Sequence, residues 1–216
     1  MRPGRSNSET MGRHGPRLGN TYYIMRHGQS EANIGRYICS SPAVGLDSCG
    51  LTPEGVRQAR EAAVKHLEGK ARLVVCSSDF LRARQTAEAV AGSVRVEEII
   101  HTPLLRERFF GTYDGGDDTL YHEVWRADSG NPYNEEAGVE SPAAVRRRAL
   151  AAVRECECRY AERTILLVSH GDILQILFAS FLGLPPDRHR EIEPITNAEI
   201  RRIIPADDLR LKELET

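Results

Sequence analysis

Tyr22-Tyr23-Ile24-Met25-Arg26-His27-Gly28-Gln29-Ser30-Glu31-Ala32-Asn33 runs four apolar, β-favouring residues into an Arg-His-Gly triplet, with an asparagine six positions after the histidine. Such a stretch reads as a buried strand that delivers charged side chains to its carboxyl end. In an open parallel sheet that end is where ligands bind. The triplet alone is weak evidence, because short tripeptides recur by chance and an isolated histidine is more often a packing or surface residue.

The layout recurs. Thr164-Ile165-Leu166-Leu167-Val168-Ser169 is a second apolar run, ending in His170-Gly171. Arg72-Leu73-Val74-Val75-Cys76 is a third, followed by Ser77-Ser78-Asp79-Phe80-Leu81-Arg82-Ala83-Arg84-Gln85-Thr86. Three strand-like runs thus hand polar, cationic or imidazole groups to one end.

The 216 residues suit one α/β domain with a sizeable core. With 29 basic against 31 acidic residues the chain lacks the excess positive charge expected of a nucleic-acid partner. No run is as long and apolar as a membrane span, and no apolar signal core precedes residue 20. The five cysteines (Cys39, Cys49, Cys76, Cys156, Cys158) match no zinc spacing and read as free thiols, favouring the cytosol.

Residues 1–20 lack periodicity and predict a disordered basic leader, with translation from Met11 or a transit peptide as further readings. Residues 34–51 read as a loop. Thr52-Pro53-Glu54 opens a helix, with Val56, Ala59, Ala63 and Leu67 on one face and Gly69 beyond its end. A second helix starts at Asp79 and buries Phe80, Ala83, Ala87 and Val90; Arg82 sits in its first turn near the sheet mouth, and Arg84 faces solvent.

Residues 94–100 predict a short strand. From Gly111 to about residue 140 the chain is Gly-, Asp-, Glu- and Tyr-rich, the signature of a functional lid or a disordered loop. Ser141-Pro142 opens a helix with Val145, Ala149, Val153, Cys156 and Tyr160 on one face. Residues 172–182 predict a buried helix, and 195–204 a last strand. This order predicts a doubly wound, mostly parallel α/β sheet with helices on both faces. The domain spans 21–204, followed by a C-terminal tail of 205–216.

With these pieces placed, the chain resembles the histidine phosphatase superfamily (branch 1), which includes cofactor-dependent phosphoglycerate mutases and many phosphomonoesterases. The resemblance spans about residues 21–204. It rests on Arg26-His27-Gly28 with Asn33, Leu51-Thr52 with Gly55 and Gln58-Ala59, and Ser78 through Arg82-Ala83 to Gln85-Thr86-Ala87. It continues with Leu105-Arg106-Glu107, Phe110-Gly111 and Gly115, Glu140-Ser141, and Ser169-His170-Gly171. The order and spacing together are specific.

The resemblance implies a phosphoglycerate mutase-like fold. It also implies His27 as nucleophile, held through its other ring nitrogen by a backbone carbonyl. Arg26, Arg82 and His170 would surround the phosphoryl oxygens, with Asn33, Gly28 and Gly171 at the same group, Arg108 on the substrate, and Glu107 protonating the leaving oxygen. Phosphoryl transfer needs positioning and charge neutralisation, which two arginines and a cationic histidine can supply without metal or other cofactor. The pocket would keep His27 neutral and His170 cationic, and raise the Glu107 pKa beside an anionic ester. A zinc site from both histidines and a carboxylate is disfavoured by the adjoining arginines. His14, His66, His101, His122 and His189 read as solvated or core-edge residues.

Hydrolase and mutase both remain open. Glu107-Arg108 with Phe110-Gly111 is similar to the mutases' Glu-Arg-His-Tyr-Gly, and Trp125-Arg126 to their Trp-Arg-Arg. Ala32 and Ala127, however, stand where mutases carry Trp and a second Arg. Residues 112–140 hold Asp114, Asp117, Asp118, Glu123, Asp128, Glu135, Glu136 and Glu140 against Arg126 alone, a field that disfavours polyanions. A phosphomonoesterase for a small phosphorylated metabolite or phosphoprotein is the leading expectation. A catalytically idle module that binds phosphorylated ligands is the alternative of another class. The chain would be a monomer or homodimer, with Arg146-Arg147-Arg148 either solvated or facing another subunit.

Overall fold

A computed structural model describes residues 18–204; most of the expected leader, with Met11 and His14, and the 205–216 tail lie outside the described residues. Residues 18–20, assigned to the leader, are docked: Leu18 packs on the core, and the Gly19 N–H and Asn20 side chain donate to Glu157.

The elements run β1 (Thr21–Arg26), α1 (Glu31–Gly35), α2 (Pro42–Gly45), α3 (Pro53–Leu67), β2 (Leu73–Ser78), α4 (Leu81–Ala91), β3 (Glu98–Thr102), α5 (Tyr121–Asp128), α6 (Pro142–Arg159), β4 (Thr164–Ser169), α7 (Gly171–Phe181) and β5 (Ile200–Arg202). The sheet order is β3-β2-β4-β1-β5, parallel except for β5, which pairs antiparallel with β1. Strand side chains alternate between two cores, as a period of two demands. Tyr22, Ile24, Ile165 and Leu167 pack with α6 and α7, while Tyr23, Met25, Leu166 and Val168 pack with α3 and α4. Helices therefore cover both faces, which is why β4 is an unbroken apolar run rather than an alternating one.

Thr52 caps α3 by accepting from the Gly55 N–H at 3.0 Å, and Pro53 occupies its first turn. Five expectations need correction. Residues 34–51 contain the α2 turn and the end of α1. The third strand lies at 98–102, and the last is only Ile200–Arg202. Residues 111–140 are ordered around α5 and three 3-10 turns, pinned by Asp114, whose Oδ1 accepts from Ser40 N, Ser40 Oγ and Ser41 N. Arg84 is half-buried and donates to the Leu46 carbonyl. Polar side chains gathering backbone groups from distant loops leave no periodic trace in a sequence.

Candidate active site

Register brings the two histidines together. β1 pairs with β4 in parallel with Arg26 opposite Ser169, so the next residues, His27 and His170, leave the sheet side by side. The His27 N–H donates to the Ser169 carbonyl at 2.9 Å, and the ring centroids stand 5.2 Å apart. β2 pairs with β4 one strand over, placing Ser78 and the start of α4 beside them.

The His27 ring is tied at one nitrogen and open at the other. Its Nδ1 donates to the Gly28 carbonyl at 2.8 Å, which leaves Nε2 to accept from Arg82 Nε at 3.1 Å. The backbone can fold this tightly because Gly28 and Gly55 lack side chains. A Cβ on Gly28 would lie 2.3 Å from the Gly55 oxygen, and one on Gly55 would lie 2.0 Å from that of Gln29. Burial, then the charges of Arg82 and Arg26, hold the His27 imidazole well below its ordinary 6.5, so at neutral pH it carries a lone pair.

His170 is fully buried, with Nε2 2.9 Å from Ser78 Oγ. The Ser78 oxygen already accepts the Phe80 N–H, so its hydroxyl is free to donate to His170. Among the described residues Nδ1 of His170 finds no partner, and neither does the buried Nε of Arg26. Burial and Arg82 also hold His170 well below 6.5. Both imidazoles are thus shifted in the same direction, and their hydrogen-bond partners distinguish them.

Arg82 is buried and donates to the Cys39 carbonyl at 2.9 Å; Arg26 donates to the Ile195 carbonyl at 2.9 Å. Among the described residues neither forms an ion pair. Asn33 is tethered through Oδ1, which accepts from Ser30 N and from Asn197 Nδ2, leaving its own Nδ2 to bond a ligand. Asn197 also donates to the His27 carbonyl.

Above this nest opens a cavity of about 400 Å³ whose wall includes Arg26, Asn33, Glu107 and Gly171. Its outer side carries Arg36, Tyr37, Tyr121, His122, Trp125, Gln175 and Arg190. His27, Arg82 and His170 are buried and are not part of that wall. Glu107 is buried, and its Oε1 accepts the Arg108 N–H at 2.9 Å. Burial first, then the charge of Asp172, raises its carboxyl above the ordinary 4.5, against the pull of Arg82 and Arg26. That environment suits a proton donor.

Arg108, expected on the substrate, is not brought to the cavity. Its guanidinium is fully buried, bonded to Asp128 at 2.5 and 2.8 Å and to Asp172 at 3.1 Å. Three of the eight acids expected to set the field over 112–140 are paired from outside that segment: Asp128 by Arg108, Asp118 by Arg36 and Glu140 by Arg148. Arg148, read as solvated or interfacial, instead braces the site by donating to the carbonyls of Leu104, Arg106 and Glu107. His122, read as solvated or core-edge, lines the cavity; His189 is fully buried, 3.4 Å from Asp172. Asp172 was missed although it lies two residues past His170, because an acid in the first turn of a helix is ordinary. Among the described residues no cluster of three or more His, Cys, Asp or Glu is placed to hold a metal ion, and no helix is long and apolar enough to cross a membrane.

Comparison with known proteins adds an independent line. The family described as "Histidine phosphatase superfamily (branch 1)" matches residues 22–213, running beyond the domain end placed at 204. A protein named probable phosphoglycerate mutase GpmB from Proteus mirabilis is 32% identical over 186 residues, covering 84% of this chain and 83% of the relative. The mycobacterial glucosyl-3-phosphoglycerate phosphatase solved with VO3 superposes with a TM-score of 0.69 at 26% identity, covering 84% of this chain and 91% of its own. Bacillus stearothermophilus YhfR gives 0.71 at 25% identity, covering 85% and 90%.

Proposed function

The chain belongs to the histidine phosphatase superfamily (branch 1), and from that premise we propose that it is a metal-independent phosphomonoester hydrolase working through phospho-His27. One observation carries the reading: the His27 ring donates from Nδ1 to the Gly28 carbonyl while Nε2 faces Arg82, a cation without an ion-pair partner among the described residues. A phosphoryl group reaching Nε2 arrives among Arg26, Arg82, the unpartnered Nδ1 of His170 and the amide of Asn33. These groups bind its equatorial oxygens and offset the charge that spreads over them in the transition state. The dianion itself raises the proton affinity of His170 and turns it into a charged donor.

In the first step Nε2 of His27 bonds to phosphorus as the ester oxygen departs. The Glu107 carboxyl gives that oxygen its proton. In the second step Glu107, now ionised, takes a proton from water as the water attacks phosphorus. The P–N bond breaks, inorganic phosphate leaves, and His27 is restored.

Charge balance favours hydrolysis over mutation. Arg26 and Arg82 match one phosphoryl dianion, whereas the outer cations are already engaged, Arg36 by Asp118 and Arg190 by Asp172. A mutase must retain a bisphosphorylated intermediate while it turns, and no surplus positive charge lines the cavity wall for the second phosphate. The mutase name of the 32% identical relative supports the competing reading. The cavity volume of about 400 Å³ suits a small phosphorylated metabolite. The five free thiols are consistent with residence in the cytoplasm.

Rapid acid-free trapping with a phosphorus-labelled aryl phosphate should label His27, with label released to water. Interconversion of phosphoglycerates that depends on 2,3-bisphosphoglycerate, at rates matching hydrolysis, would replace this reading with the mutase one. Ligand binding without a trapped intermediate would replace it with the binding-only one.

A further inference from the structure

The carboxylate of Asp172 is buried, and four side chains from three segments converge on it. Trp125 of α5 donates its indole N–H to Oδ1 at 2.9 Å, and Arg108 donates to Oδ2 at 3.1 Å. His189 and Arg190, from the 3-10 turn Pro186–Glu191, approach Oδ1 at 3.4 and 3.9 Å. Arg190 in turn lies over the Trp125 ring, 3.6 Å from its centroid, and bonds Gln175. Asp172 itself stands in the first turn of α7, directly after His170-Gly171, and lines the cavity with Glu107. The role assigned to Glu107 depends on this cluster, because Arg108 is its neighbour in the chain and gives it a backbone N–H.

We propose that Asp172 is the positioning residue for Glu107: it anchors the loop that carries the carboxyl, and its own fixed charge makes Glu107 a proton donor to alkoxide leaving groups. The inference rests on the hydrolase reading above. Mechanically, Arg108 is clamped between Asp128 and Asp172, so the Glu107-Arg108 backbone cannot swing while both acids hold it. Electrostatically, Glu107 shares the cavity wall with Asp172 of α7, Arg26 of β1 and Tyr121 of α5, it feels the charge of Arg82 of α4, and Arg148 of α6 donates to its carbonyl. Asp172 is the acid among them. It stays ionised because His189, Arg108 and Arg190 outweigh its burial and hold it far below the usual carboxylate range. A permanently charged carboxylate beside a second one disfavours ionisation of the second. The arrangement thus assigns one acid to structure and one to proton transfer.

The test compares kcat/KM against pH on p-nitrophenyl phosphate, whose leaving group needs no proton, and on glycerol 2-phosphate, whose leaving group does. The ratio kcat/KM covers the steps up to transfer onto His27. Asp172→Asn should lose roughly 10–100-fold on the alkyl ester and less than about 3-fold on the aryl ester. Its basic limb on the alkyl ester should fall by about one pH unit, because Glu107 ionises more readily without a like charge beside it. Asp172→Glu should restore the limb. Equal losses on both esters with an unmoved limb would reduce Asp172 to a packing residue and overturn the proposal. Should Asp172→Asn fail to fold, Arg190→Gln removes a cation from the same cluster and must move the limb upward; no shift or a downward one overturns the proposal. A wild-type protein that hydrolyses neither ester would overturn the hydrolase reading and this inference together.

Discussion

Arg82 and Arg108 are both buried, within the same domain, and their surroundings are opposite in kind. Arg82, at the inner nest, meets an imidazole nitrogen, a carbonyl and a thiol, with no acid in contact among the described residues. Arg108, in the outer shell, is locked between Asp128 and Asp172. Taking a cation from water without an anion is costly, and the cost is recovered only when an anion arrives. The inner region therefore holds positive charge that no described acid offsets, beside the unpartnered Nε of Arg26 and Nδ1 of His170, as the proposed phosphoryl site requires. The outer region has already spent its charge on holding the chain together. Burial alone does not separate a binding arginine from a structural one; the identity of the partner does.

Replacing His27 by Ala should give the largest effect, a loss of turnover of roughly 10⁴-fold or more with no trapped intermediate, read by steady-state and quench assays. Substantial turnover in that variant would remove the inner region from the chemistry. Next, the two arginines should part company under the same change. Arg82→Met should lower kcat/KM by roughly 10²–10³-fold while leaving the urea midpoint equal or higher. Arg108→Met, which strands two buried carboxylates, should cost about 3–5 kcal/mol in urea unfolding. Matching behaviour of the two variants would erase the distinction.

Glu107→Gln should lose roughly 10²–10⁴-fold on alkyl phosphates, yet melt a few degrees higher at pH 7. The sign follows from its raised carboxyl. The folded state keeps the proton longer than the unfolded one, so the wild-type acid contributes stability below its ordinary 4.5 and loses it as pH rises. The smallest effect concerns the histidines, whose folded-state pKa values are depressed. Their contribution is complete above the ordinary 6.5 and is lost as pH falls below it, because the unfolded chain takes up protons first. Urea midpoints should therefore decline from pH 7.5 to 5.5, with a shallower decline in His27→Gln.

Much of this molecule was legible in order along the chain. The apolar runs ending in His27, Cys76 and Ser169 became β1, β2 and β4, and the helical spacings of α3, α4, α6 and α7 held. Strands and amphipathic helices announce themselves through periods of two and 3.6, and parallel strands with helical crossovers then dictate which ends converge. The same logic pointed to Arg26, His27, Arg82 and His170, each at or just beyond a strand or in the first turn of α4, whereas Glu107 came from the family resemblance alone.

Arg108, Arg148 and Asp172 were out of reach of that logic. A charged side chain has no periodicity that reveals whether it faces ligand, solvent or another charge. Arg108 sits next to Glu107 in sequence, yet its partners come from residues 128 and 172. What the residues alone determined was the sheet, its faces and the side chains delivered to its mouth, because local pattern and hydrophobic burial are sufficient for these. Which arginine lacks an acid partner and which acid stays charged were decided only by tertiary packing, because charge pairing and desolvation act between residues far apart in the chain.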